Sequence, residues 1–503
     1  QYLLAQFIPL DKYDNKLIVR LYDKNLLDYP AFFNKPLEYS KISVKNIVNA
    51  DKESEFIIQY LNDRWSKISK NGVWFQSDAA LTLTNFKNPR NNVRLRLDLN
   101  LYGRYFNFIF GARTRFDSDG LYDSDYRGKP VNIINGKRYY FSAFHDLAYI
   151  GYVSDITDII FGKFRLAYGP GESGQMIISS NPPSFDLLMG KIRLLKEQKK
   201  SNSWKFQFST AIAQLDFSMF NGNRYARTLY IQRYELNFSY LYLGLTQVEL
   251  FYEKDKRNIY FNYLFPFISF FGERENNMLH SFDNLLYSVD FSIKFKSYRF
   301  YGELLVDDLS YDFSLPQKIG FLLGVKIPNF MMDNLGISIE YVRINRFTYA
   351  YNLGDSFYDS ESGKIAEVML RYVFYGRAND FTHGSIIGHW LGSDADLLQL
   401  DVWKYISAGL FINLKFSYIR HGEGNIYEPI TPPSPKPKAF LYGIVERSIG
   451  LNMEITYISN LSLKFRLSLG LTTFKNKGNI AGNNENLFKI SLVTNYDPFI
   501  KLF

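Results

Sequence analysis

The sequence predicts an all-β transmembrane barrel: antiparallel, of about 18 strands, with a small N-terminal helical region. Three observations carry that expectation. Val93, Leu95, Leu97, Leu99 and Leu101 alternate with Arg94, Arg96, Asp98 and Asn100. A strand has a side-chain period of two, so the apolar residues share one face and the charged ones the other. The same pattern recurs at the far end of the chain. Leu461, Leu463, Phe465, Leu467, Leu469 and Leu471 alternate with Ser462, Lys464, Arg466, Ser468 and Gly470, and Leu410, Ile412, Leu414, Phe416 and Tyr418 are interleaved with Asn413, Lys415 and Ser417. Strands that are half oily and half charged suit a closed wall with lipid outside and water inside. Aromatic residues make up 18% of the 503, with 39 Tyr and 45 Phe, which fits a tall outer surface with aromatic girdles better than one soluble core.

Composition excludes other classes. Charged residues are 22% of the chain and the mean hydropathy is −0.20. No run of apolar residues is long enough for a spanning helix. The longest apolar stretch, 260–271, is too short to span and is broken by Pro266. There is no cysteine, hence no disulfide framework and no thiolate metal site. The net charge of +9 favours anionic solutes or an acidic polysaccharide if much of it lines a lumen, and otherwise solvates strands and loops. Gln1 opens the chain with neither a basic nor an apolar leader, as expected of a processed envelope protein and equally of a soluble one.

Along the chain, residues 1–70 form the first unit. The stretch 42–68 predicts one or two helices, because Phe56, Ile57, Tyr60, Leu61, Trp65 and Ile68 recur at three- and four-residue spacing. Asn49 or Asp51 can cap the second of them. An amphipathic helix ahead of a barrel packs on its periplasmic mouth or inside it. Residues 71–503 form the barrel. Strand candidates fall at 73–85, 92–103, 105–116, 139–153, 157–168, 188–196, 203–216, 227–239, 241–253, 284–296, 298–309, 317–328, 335–349, 366–376, 396–405, 408–420, 439–457, 459–474 and 485–497. An even count near 18 is expected of a bacterial single-chain barrel. Long insertions fall at 117–137, 169–188, 257–277, 351–364 and 421–438, the last stiffened by Pro432, Pro433, Pro435 and Pro437. The final strand runs towards Phe503, with Tyr496 as the alternative end.

Candidate chemistry is sparse. Of five histidines, His383 and His389 lie near Asp394 and Asp396, but their spacing matches no standard zinc signature and solvated loop residues are expected there. Neither a metal nor a cofactor is expected. Glu303 and Asp307 share a strand face, and with Asp308 they form an acidic cluster in the lumen. Paired carboxylates can cleave glycosides. The alternative is that they hold lumen arginines such as Arg94, Arg96, Arg113, Arg115, Arg165 and Arg193. No phosphate loop or Ser-His-Asp arrangement is readable, and nucleic-acid binding has only net charge behind it.

Tyr168-Gly169-Pro170-Gly171 follows a strand, and Ser179-Ser180-Asn181-Pro182-Pro183-Ser184-Phe185 comes soon after. Tyr301-Gly302-Glu303-Leu304-Leu305-Val306-Asp307-Asp308 is a strand ending in an acidic pair, and 384–396 is rich in Gly and Asp. In order and spacing these resemble the Wzi-type capsule-assembly outer-membrane proteins over about residues 40–500. The family's turn often begins with Trp where this chain has Tyr168, and the segment after it here carries only Gly171 and Gly174. The turn has a physical reading of its own. Gly169 and Gly171 permit positive φ on either side of Pro170, so the chain leaves its strand sharply and 171–188 crosses the lumen as a plug, or folds as a simple loop.

The resemblance implies a non-enzymatic barrel in the outer membrane of a Gram-negative bacterium, holding capsular or other surface polysaccharide and meeting outer-membrane lipid and other outer-membrane proteins, with no nucleic-acid partner. A channel is the alternative and an outer-membrane hydrolase a third class. Sugar sites combine aromatic faces with charged and amide groups. Arg165, Tyr168, Asn181 and Arg193 are therefore the candidate polysaccharide contacts, with Trp390 as a further surface candidate. Tyr168 and Asn181 have a second reading as braces of the plug.

Overall fold

The computed structural model describes residues 51–65, 71–84, 93–118, 142–154, 156–196, 204–238, 240–255, 259–270, 283–296, 298–308, 317–351, 361–375, 384–407, 409–427, 440–459, 463–496 and 499–501. It also describes the short stretches 2–3, 42–43, 132–134 and 137–139, and Leu17, Arg20, Asp23 and Lys24. The chain closes into an antiparallel barrel of 18 strands. In order these are β1 (Gly72–Thr84), β2 (Val93–Tyr105), β3 (Phe108–Asp117), β4 (Ser142–Val153), β5 (Thr157–Phe164), β6 (Phe185–Lys196), β7 (Trp204–Phe220), β8 (Asn223–Phe238) and β9 (Leu241–Lys254). They continue as β10 (Asn284–Phe295), β11 (Tyr298–Asp308), β12 (Lys318–Ile327), β13 (Leu335–Ile344), β14 (Ala395–Ser407), β15 (Leu410–His421), β16 (Glu446–Ile458), β17 (Leu463–Lys475) and β18 (Glu485–Tyr496). Each strand pairs with its neighbour in sequence. Closure comes from β18 on β1, with Leu492 opposite Leu83, and the chain's last described piece, Phe499–Lys501, continues that pairing against Gln76, Phe75 and Trp74. A closed wall leaves no unpaired edge, which is the condition for strands to lie in hydrocarbon.

Alternation sorts the wall into two faces. Leu95, Leu97, Phe465 and Leu471 are exposed on the outer face, together with Leu245, Val289 and Leu304. Between them the charged residues turn inward and pair. Arg94 binds Asp117, Arg96 lies 3.4 Å from Asp78, Arg115 meets Asp98 at 2.8 Å, and Arg466 lies 3.7 Å from Glu454. Lys464 is buried with its ammonium 5.8 Å from the Tyr60 ring.

Both termini of the barrel lie at one mouth, where most connections between strands are short. Gly409 (φ +85°) makes one of them. Most connections at the other mouth are long, and two of these, between β5 and β6 and between β13 and β14, fold into the lumen.

Two expectations need correction. Among the described residues of 42–68, helix α1 covers Lys52–Trp65, while Ile42–Ser43 is a two-residue strand paired with Tyr2–Leu3. The helix starts where its cap does: Asp51 accepts from the Ser54 N–H at 2.8 Å. The predicted strand 366–376 is instead the end of helix α2 (Glu361–Met369) followed by a two-residue strand, Val373–Phe374, on Ser385–Ile386. Ala366, Met369 and Leu370 are fully buried at three- and four-residue spacing, so the short apolar run obeys a helical period. The long loops predicted at 117–137, 351–364 and 421–438 fall mostly outside the described residues.

The assignment of faces predicts opposite responses from adjacent residues of β17. Leu467→Arg puts a charge in the lipid face and is expected to cost about 2–4 kcal/mol, whereas Ser468→Arg turns into the wet lumen and is expected to cost under about 1 kcal/mol. Urea titration of the refolded barrel in vesicles measures both, and equal costs would contradict the assignment.

Candidate functional site

The plug begins where β5 ends. Gly169 has φ +125°, and a Cβ there would fall 2.3 Å from Glu303 Oε2. Gly171 departs from the expectation: its φ is not positive. It must be glycine for space, since a Cβ would sit 2.0 Å from the Gly174 carbonyl. The turn closes when the Tyr168 N–H donates to the Ile178 carbonyl at 2.9 Å.

Carboxylates of the wall then hold the loop by its backbone. Glu303, on β11, accepts from the N–H groups of Met176 (2.9 Å) and Ile177 (3.1 Å) and from Ser288 Oγ (3.0 Å). Glu340, on β13, accepts from the N–H groups of Glu172 (2.8 Å) and Ser173 (2.9 Å) and from the Tyr301 hydroxyl (2.9 Å). Met176, Ile177 and Ile178 are fully buried among Leu305, Leu322, Val342 and Ile344 of the wall. The lumen carboxylates therefore serve the plug's backbone. The expected arginine partners are taken elsewhere: Arg113 by Asp146 (2.8 Å), Arg115 by Asp98, Arg193 by Asp158.

The second infolded loop packs on the first. Tyr349 links them: its N–H donates to Asp307 (2.6 Å), its hydroxyl donates to the Met176 carbonyl (2.6 Å), and the His389 N–H donates to that hydroxyl (3.1 Å). Of Asp308 only the backbone is described, opposite Lys318. A buried arginine of the wall, Arg227, donates to the Met369, Arg371 and Val373 carbonyls at 2.6, 2.7 and 2.9 Å. Met369 is the last residue of α2, which has no basic residue of its own in its last turn, and Arg371 and Val373 lie just beyond it.

The candidate contacts divide. Arg165 donates to the Ser180 carbonyl (3.1 Å), and Asn181 donates its side-chain amide to the Ile386 carbonyl (2.9 Å) and its backbone N–H to Ser179 Oγ (3.0 Å). Tyr168 is buried, with the Arg233 guanidinium 5.0 Å from its ring centre. These three brace the plug. Arg193 stands apart, near the short-turn end of β6, bound to Asp158 and to the Ser154 carbonyl. Trp390 is not on an outer loop. It lies beside the plug tip, its indole N–H donating to the Ser173 carbonyl at 2.7 Å, and the residue is 44% exposed.

The plug tip reaches towards the short-turn mouth. Glu172 meets Lys326 at 2.6 Å and Arg299 at 2.9 Å. Burial pushes its carboxyl up, but these two cations outweigh that and hold it at about 2. Asp23 of the N-terminal region binds the same two cations, at 3.2 Å to Arg299 and 3.0 Å to Lys326. Arg20 and Lys24 reach Glu53 of α1, and Phe56 packs on Tyr405 and Phe411 of the wall. Beside Glu172 a cavity of about 110 Å³ is lined by Arg20, Gln399, Asp401, Trp403, Asn413 and Lys415.

One pair looks catalytic and is not arranged for it. Ser173 Oγ lies 3.1 Å from His389 Nε2. The Leu391 N–H donates to His389 Nδ1 at 3.2 Å, so in the neutral ring Nε2 carries the proton and donates to the serine. A general base needs the opposite tautomer. Burial also pushes this imidazole down to about 3. Asp394 accepts from the Gly424 and Tyr442 N–H groups (3.0 Å each) and Asp396 binds Arg420, while His383 lies outside the described residues. Among the described residues no group of three or more metal-ligating side chains comes together.

Sequence reasoning missed Glu340 and Glu172. A signal existed: Glu303 faces Asp290 and Leu322 across its two strand pairings, and Glu340 faces Gly324 and Gln399, so neither has a cation opposite. An inward carboxylate with no cross-strand cation must find its donor elsewhere.

Comparison with known proteins follows the same lines. The profile of the family described as capsule assembly protein Wzi matches residues 142–485. No curated protein matches the chain. Among solved structures, the chain is similar to Wzi of Escherichia coli, described as an outer membrane protein involved in group 1 capsule assembly and a carbohydrate-binding β-barrel. That match has 14% identity and a TM-score of 0.60, and covers 98% of this chain and 99% of that one. Acinetobacter baumannii OccAB4 (12% identity, TM-score 0.44) and Pseudomonas aeruginosa OccD3 (10%, 0.43) each match over 86% of this chain and over 99% and 92% of their own. With a closed barrel, a plug built on the Tyr168–Gly171 turn and a profile match over most of its length, this chain belongs to the Wzi capsule assembly family.

Proposed function

We propose that the protein sits in the outer membrane of a Gram-negative bacterium, binds surface polysaccharide and assists capsule assembly or anchoring without cleaving the polymer. Short turns are the periplasmic side of such barrels and long loops the cell exterior. The observation that carries this reading is the plug. Three wall-anchored carboxylate contacts, at Glu303, Glu340 and Glu172, pin it across the lumen, as suits a barrel that holds a ligand rather than passing one. The N-terminal unit, residues 1–70, closes the periplasmic mouth in this reading.

Trp390 is the proposed sugar-stacking face, since Arg165, Tyr168 and Asn181 are committed to the plug. Lys415 and Arg466, whose side chains are 38% and 37% exposed, supply cations for an acidic sugar. Trp390→Ala is expected to weaken binding of purified barrel to acidic capsular glycan at least about tenfold, or about 1.4 kcal/mol, while Arg193→Ala leaves it unchanged. Glycan-array or calorimetric titration checks both.

One observation favours a channel instead. Among the inward side chains of β2, β15 and β17, Arg94, Arg96, Lys415 and Arg466 remain partly exposed, Arg96 at 30%. Planar-bilayer recording separates the readings. The wild-type barrel is expected to conduct little, and Glu303→Ala with Glu340→Ala to raise conductance several-fold by freeing the plug. Open-porin conductance in the wild type would favour the channel.

The plug's grip also has a pH signature. Glu172 is held below its ordinary value of 4.5, at about 2. Its ion pairs are then fully formed above about pH 4.5 and fade as the pH falls towards 2. Conductance is expected to stay flat from pH 7 to 4.5 and rise below that. Glu172→Gln is expected to remove this acid step.

A further inference from the structure

The most apolar stretch of the sequence lies on the outside of the barrel. Residues 259–270 read Ile-Tyr-Phe-Asn-Tyr-Leu-Phe-Pro-Phe-Ile-Ser-Phe, without one charge. On β8 the inward residues are Leu229, Ile231 and Arg233, which join the plug core and its ion pairs. Tyr230, Gln232 and Tyr234 alternate with them and so face outward. Gln247 and Phe251 face outward on β9, and Leu285 on β10, by the same alternation. Elsewhere this face exposes leucine, valine, isoleucine and phenylalanine side chains. Here Tyr230, Gln232, Phe251 and Leu285 are buried, because Tyr263 and Phe270 cover them in a cluster separate from the lumen core.

The wall side chains serve the segment's backbone. Gln232 Nε2 donates to the Tyr263 and Phe265 carbonyls, both at 2.8 Å, and Gln247 Nε2 donates to the Ile268 carbonyl at 2.7 Å. The Tyr260 N–H donates to the Tyr230 hydroxyl (2.9 Å) and the Phe267 N–H to the Tyr234 hydroxyl (2.8 Å). Water would do this work for an ordinary surface loop. Irregular backbone survives at membrane depth only when protein groups satisfy it. Gln232 and Gln247 would themselves be costly on a lipid face unless covered.

We propose that 259–270 is a lipid-immersed strap: it lies on the outer wall of β7–β10 and presents Ile259, Phe261, Phe265 and Phe267 to the acyl chains of the bilayer. These four are 55%, 63%, 62% and 78% exposed. The depth follows from register. The Phe267 ring stacks on Tyr234 at 5.8 Å, near the short-turn end of β8. Tyr234 pairs with Leu245, which pairs with Val289, and both are exposed members of the lipid-facing band. The strap thus continues that band outward. Its chemistry matches hydrocarbon, and it offers no charge for a polar partner.

The chain's lack of cysteine permits a direct test. Single cysteines at 261 and 267 (Phe261→Cys, Phe267→Cys), and at Val289 as the wall reference, are spin-labelled in barrel refolded into phosphatidylcholine–phosphatidylglycerol vesicles. Collision with oxygen several-fold above collision with a water-soluble nickel chelate, matching Val289→Cys, supports the strap. Chelate access exceeding oxygen access would mean the segment stands in water, and low access to both would mean a protein partner, such as a second copy, covers it. Either result overturns the proposal. Gln247→Leu keeps the test sharp if one labelled variant refolds poorly. It should mobilise a label at 261 or 267 while leaving Val289→Cys unchanged, and no change in mobility would count against the strap.

Discussion

A bilayer offers no hydrogen bonds, so every backbone N–H and C=O of a chain inside it must find a partner in the protein itself. That constraint runs through the whole molecule. Strand ladders satisfy the wall, and closure of β18 on β1 removes the edge that would otherwise remain. At several places where the described chain leaves a strand but stays within the barrel's height, a side chain of the wall takes over. Glu303 and Glu340 receive the plug's N–H groups, Arg227 serves the carbonyls at the end of α2, and Gln232 and Gln247 serve the segment on the outer face.

The same rule explains why the lumen is charged without being a simple row of ion pairs. Burying a charge is costly, and a pair repays this only when its geometry and remaining hydrogen bonds are good. Arg233 meets that condition through Asp290 (2.8 Å), Glu235 (2.6 Å), Thr246 (2.5 Å) and the Tyr242 hydroxyl (2.6 Å), while its plane lies near Tyr168. The removal of one member of such a set leaves the others uncompensated, typically at about 3–5 kcal/mol. These networks therefore specify one arrangement of plug and wall more than they add net stability.

Glu172 joins three parts of the protein. It sits on the plug, its cations Arg299 and Lys326 belong to the wall, and Asp23 of the N-terminal region shares them. The plug tip and the element at the short-turn mouth are thus held by one set of charges. The hydrophobic side of the same junction is Phe56 of α1 against Tyr405 and Phe411.

The sequence by itself determined the wall. Period-two alternation within the strands sorts most wall side chains to the outer face or the lumen, because a strand offers only two directions and lipid rejects charge. It also marked the sharp turn at Tyr168–Gly171, since Gly169 and Pro170 are conformational signals local to the chain. Tertiary structure alone decided what meets what across the lumen. Glu303 finds backbone N–H groups 127 and 126 residues away, and a backbone donor has no residue type to read. The 366–376 run shares its apolar letters with strand and helix alike, and burial of Ala366 and Leu370 chose the helix. Trp390 and the 259–270 segment were legible as aromatic, yet whether an aromatic lies in the lumen, at the rim or against lipid depends on how a long loop folds back, and periodicity does not encode that.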